Sequence, residues 1–125
     1  MTSYRTVWLA LTAPASTSWD SEGAPQASWT ARGDCRVVRV YLQLPTGSAG
    51  LLHIVPRIFT QSEDVQPILA FGAGGDGFLR GDNVTPVFDT DVPIRTGQRL
   101  QSWYDNQDDT NDHWFALAIT LSGVV

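Results

Sequence analysis

Lysine is absent from this chain, and cysteine occurs once. All eight basic residues are arginine, set against thirteen acids for a net charge of −5. A nucleic-acid-binding surface needs a clustered positive patch, and this sequence holds none. Arginine's planar fork suits interfaces, although a GC-rich coding bias explains the Ala, Gly and Arg enrichment better. The lone Cys35 has no partner for an internal bridge; in its apolar-rich run it reads as a buried thiol. No stretch approaches the ~20 apolar residues of a membrane span. Arg5, Val7 to Leu11 and Ala13-Pro14-Ala15 imitate a signal peptide, but the apolar run is short even for one, and the segment reads as a strand.

Motifs for chemistry are equally scarce. No Gly-x-Ser-x-Gly elbow occurs, and nothing around Cys35 marks it as a nucleophile. The two histidines, His53 and His113, lack the close His and carboxylate neighbours of a cupin-type metal site. Gly72 to Gly77 lacks the Lys-Ser/Thr ending of a phosphate cradle. Arg80-Gly81-Asp82 spells an adhesion tripeptide, yet Gly-Asp-Asn is ordinary turn chemistry. The expectation is a chain without catalytic residues or cofactor.

The pattern that is present has a period of two. Val7, Leu9 and Leu11 alternate with Trp8, Ala10 and Thr12; Val38, Val40, Leu42 and Leu44 alternate with Arg39, Tyr41 and Gln43. Further strands are expected over residues 51–60, where Pro56 points to an edge or bulge, and over 67–71, 84–88, 92–95, 99–104 and 113–121. Turn signals such as Pro45-Thr46-Gly47 and Arg95-Thr96-Gly97-Gln98 separate them. The fold class expected is all-β: a single domain over 1–125, a two-sheet antiparallel sandwich of about eight strands, jelly roll or related Greek key. A long loop over residues 14–33 carries Trp19 and Trp29, which pin it to the domain or to a neighbour.

The terminal strands hold the strongest functional clue. Behind an inner face of Phe115, Leu117, Ile119 and Leu121, the last strand presents Trp114, Ala116, Ala118 and Thr120; the first presents Trp8, Ala10 and Thr12. Solvated outer faces normally carry charged or long polar side chains, whereas Trp beside small residues makes a contact surface. With both strands in one sheet, these residues, joined by Trp19 and Trp29, form the expected interface; the alternative is that the 14–33 loop covers the face. The acidic run Asp105 to Asp112 reads as a solvated hairpin tip, with a calcium site built from Asp105, Asp108, Asp109 and Asp112 as the alternative.

The segments Val92-Pro93-Ile94-Arg95-Thr96-Gly97-Gln98-Arg99-Leu100, Trp103-Tyr104-Asp105-Asn106 and His113 to Leu121 resemble the final strands of jelly-roll virion proteins. These are the head-decoration and fibre-head modules of tailed bacterial viruses, and the pattern is shared by trimeric tumour-necrosis-factor-like domains. The resemblance covers about a third of the chain. It implies a small non-enzymatic structural protein at the virion surface, a homo-oligomer (a trimer by preference) or one bound to a capsid lattice, with no nucleic-acid or membrane partner. The alternative is a secreted or cell-surface sandwich that binds a carbohydrate or a receptor.

Overall fold

A computed structural model describes residues 3–17, 27–47, 49–59, 65–67, 79–80, 82–83 and 85–123. Eight strands occur in the order β1 (Tyr4–Ala13), β2 (Ala27–Thr30), β3 (Cys35–Gln43), β4 (Leu52–Phe59), β5 (Val65–Pro67), β6 (Val87–Ile94), β7 (Arg99–Asn106) and β8 (His113–Gly123). They form two four-stranded antiparallel sheets, β1-β8-β3-β6 and β2-β7-β4-β5. The first strand pairs with the last, the second with the seventh, the third with the sixth and the fourth with the fifth. A long antiparallel ribbon folded over on itself gives this nesting, which makes the sandwich a jelly roll.

The core lies between the sheets and follows from the alternation. Val7, Ile119, Val40 and Phe88 stand side by side across all four strands of the first sheet. The first three of these are buried, and Phe88 packs against them half-exposed. Leu52, Ile54, Ile58, Leu100 and Tyr104 face them from the second sheet. The open side between β1 and β2 is closed by Trp29, whose ring carries the Arg5 guanidinium at 5.5 Å.

Four details differ from the sequence reading. A short strand, β2, lies within the segment read as a loop, because its Ser-Trp-Thr run is held by pairing to Gln101–Arg99 rather than by its own pattern. The runs 84–88 and 92–95 join as the single strand β6, where Asp89 and Asp91 alternate outward. Val38 is not a core residue: a register shift between Val37 and Arg39 makes it the extra residue of a bulge, so Val37 takes the inner position. Pro56 sits in a strand flanked by β7 and, further along, by β5. Ile54 exchanges both backbone bonds with Leu79, away from β7. Pro56, two residues on, therefore turns its missing donor to that same side, and the β7 ladder loses nothing.

Candidate functional site

The residues singled out on the terminal strands lie together on one outer face. β1 and β8 pair without interruption from Tyr4↔Ser122 to Ala13↔His113. Adding the β3 and β6 registers resolves the outer face into rows. Trp8, Ala118, Tyr41 and Val87 form an apolar row across all four strands. Ala10, Ala116 and Gln43 form the next row, then Thr12 and Trp114. Trp8 is 59% exposed, Val87 53% and Trp114 41%. The Trp8 and Tyr41 rings meet edge to face, 6.2 Å between centroids at 76°.

Ala118 is only 6% exposed and Ala116 2%, because β8 has a strand on both sides. They are the floor of the surface, and Trp8, Trp114 and Tyr41 are its raised parts. Thr120 is half-buried, with its hydroxyl 3.4 Å from that of Thr6.

The other half of the same face is charged. Arg36 pairs with Asp91, and Arg39 Nε donates to Asp89 at 3.0 Å. Asp91 is held below the usual carboxylate range by the Arg36 hydrogen bond and charge, and Arg36 is raised by the same contact. These pairs are solvent-exposed, so each contributes little to stability. They leave the charged half with no net charge, beside an apolar half with none at all.

Trp29 lies elsewhere, half-buried against the core on the second sheet. Trp19 falls outside the described residues, as do Gly72 to Gly77 and Gly81. Trp103, which the sequence placed only within the resemblance, stands on the outer face of the second sheet. Its indole Nε1 donates to Gln101 Oε1 at 2.7 Å, and the Arg57 guanidinium lies 4.8 Å over its ring. The signal for that position was present in the alternation of β7, which sends Leu100, Ser102 and Tyr104 inward and Gln101 and Trp103 outward.

The acidic hairpin is a tip whose carboxylates are engaged in local hydrogen bonds. Asp108 accepts from the backbone N–H groups of Thr110 (3.0 Å) and Asn111 (3.1 Å) and lies 2.8 Å from His113 Nε2. Asp112 accepts from the Ala15 N–H, Asp109 from the Thr110 hydroxyl and Asp105 from the Gln107 amide, with His53 Nδ1 3.6 Å from Asp105. Among the described residues no three His, Cys, Asp or Glu are grouped to hold a metal. Beneath the tip Asn106, 1% exposed, donates to the carbonyls of Ala13, Pro14 and Asn111, and its Oδ1 accepts from the Asp108 N–H.

Hydrogen bonds from Thr110, His113 and Asn111 hold the Asp108 carboxyl far below the usual range. A carboxylate with a depressed folded-state pKa contributes its full stabilisation above the unfolded value of ~3.9, and loses it as pH falls below that. Denaturant midpoints measured between neutral pH and pH ~2 should therefore drop in acid, and Asp108→Asn should flatten that dependence. An unchanged slope in the variant would remove Asp108 from the account.

Two buried groups give a further expectation. Tyr104 packs 6.0 Å from Phe115, and its hydroxyl is buried with no hydrogen-bond partner among the described residues. Tyr104→Phe removes a desolvated polar atom and keeps the ring, so the melting temperature should hold or rise. Cys35 is buried, and desolvation together with nearby Asp34 raises its thiol pKa; the native protein should react slowly with thiol reagents.

No protein-family model and no curated protein matches the chain. Among solved structures, a chain of the Cyanophage Pam1 capsid asymmetric unit is similar over 97% of this chain and 85% of that one, with a TM-score of 0.54 and 11% identity. A chain of infectious bursal disease virus, Gx strain, matches over 98% of this chain and 31% of its own length (TM-score 0.48, 10% identity). A family two carbohydrate esterase from Cellvibrio japonicus matches over 99% and 35% (TM-score 0.44, 12% identity). The chain shares its fold with that chain of the cyanophage capsid.

Proposed function

We propose that this chain is a non-enzymatic structural component of a virus shell, a decoration or minor capsid protein attached at the virion surface through the outer face of the β1-β8-β3-β6 sheet. The observation that carries this reading is the apolar row Trp8, Ala118, Tyr41 and Val87, which crosses the whole sheet where a solvated face would carry charge. The full-length likeness in fold to a cyanophage capsid chain supports it, as does the use of the described acids in structural hydrogen bonds.

The reading predicts that the protein bands with virus particles on a density gradient, and that antibody to the purified chain labels intact particles. Recovery only in the soluble fraction overturns it. Trp8 and Trp114 also suit a carbohydrate-binding platform, since both indoles are exposed. Quenching of their fluorescence by an oligosaccharide series, lost in Trp8→Ala, would favour that second reading.

A further inference from the structure

The four sheet edges are not alike. β2 has four residues and β5 three. β6 carries Asp89, Asp91 and Pro93, and its pairing with β3 is broken by a register shift. Short strands, charges, proline and bulges are the usual ways in which a sheet edge avoids pairing with another chain. β1 has only one of them, a single charge. It is ten residues long, keeps an unbroken register with β8, and contains neither proline nor acid. Its one charged residue, Arg5, turns across the sandwich onto Trp29.

We propose that β1 pairs antiparallel with β1 of a second copy of this chain, joining two four-stranded sheets into one of eight strands about a two-fold axis. The backbone is set up for it. The Ser3 carbonyl accepts from the Gly123 N–H at 3.1 Å. By the alternation of antiparallel pairs, the odd residues of β1 thus turn their polar groups to β8, and Tyr4, Thr6, Trp8, Ala10 and Thr12 turn theirs to the free edge. Among the described residues nothing in the sheet lies beyond that edge.

The side chains are self-complementary in a permitted register. Centring the axis on Leu9 sets Trp8 of each copy opposite Ala10 of the other, and Thr6 opposite Thr12. A large side chain is thus matched with a small one across the seam. Ala10 is exposed while Ala116, its neighbour in the same row, is buried; the difference is that Ala116 has a strand on both sides. On the inner face Leu9 meets Leu9. No carboxylate stands along the seam, so two chains of net charge −5 meet where neither carries negative charge.

A ten-residue strip with a small residue opposite each indole buries roughly 1,000 Å² in total, near the lower bound for a specific interface. The pairing also sets two apolar faces side by side, doubling the surface assigned to shell attachment. It does not depend on the partner of that face being a virus shell.

Sedimentation equilibrium of the full chain should show a species of twice 13.7 kDa in reversible exchange with monomer. The double variant Thr6→Lys/Thr12→Lys places four like charges along the seam from solvent-exposed positions, so it should remain monomeric with an unchanged circular dichroism spectrum and melting curve measured at low concentration. Ala10→Pro removes only a donor facing the free edge and should weaken the dimer at least tenfold. A monomer at all concentrations, a trimer, or a dimer indifferent to these variants overturns the pairing. A monomer that still bands with virus particles would overturn the pairing alone and leave the proposed function standing.

Discussion

Asn106→Leu should lower stability by about 3 kcal/mol or more, a melting-temperature drop on the order of 10 °C for a domain of this size. The side chain is almost fully buried and keeps its volume in the variant, so no large cavity forms. What is lost is the junction it makes. Its amide donates to the carbonyls of Ala13 and Pro14 at the end of β1 and of Asn111 in the hairpin, and its carbonyl receives the Asp108 N–H. Leucine offers none of these partners, and a buried polar group left unpaired costs about 1–3 kcal/mol. The backbone of Asn106 also donates to Thr17, so the start of the chain leaving β1 should loosen together with the β7–β8 hairpin. Hydrogen exchange at Ser16 and Asp108 would report this directly; a variant as stable as the parent, with both amides still protected, would show that water replaces the side chain without cost.

Ile119→Ala should cost about 2–5 kcal/mol, the usual range for removing an aliphatic side chain from a filled core. Ile119 lies on β8, second strand in its sheet, with Val7 on one side and Val40 on the other, and is fully buried. One position away, Ala118 lies on the opposite face in the row with Trp8 and Tyr41. The two faces separate fold from function: Ile119→Ala should lower the urea midpoint without altering what the outer face binds. Trp8→Ala should leave the midpoint nearly unchanged, since the indole is mostly solvent-exposed, and should weaken assembly. Equal losses of stability in both variants would mean that the Trp8 row is part of the fold rather than a free surface.

The alternation in β1, β3, β7 and β8 was readable from residue order because each of these strands has one face in the core and one outside, and a period of two needs no knowledge of partners. β2 was not readable. Four residues carry too few positions for a period, and Trp29 is placed by its pairing with Leu100 on a strand some seventy residues away. The bulge was hidden for a different reason. Val37 and Val38 are both apolar, so either fits the inner phase locally, and the pairings to β6 and β8 select Val37.

The outer surface divides along the same line. That Trp8 and Trp114 share a face with small residues follows from spacing alone, as does the expectation of an all-β sandwich. That Tyr41 and Val87 complete the row, that Arg36 and Arg39 find Asp91 and Asp89 beside it, and that β1 is an unguarded edge depend on which strands lie next to each other. Alternation is a local property of the chain and is written in the order of its residues. Adjacency joins strands from opposite ends of the chain, so only the packed pair of sheets decides it.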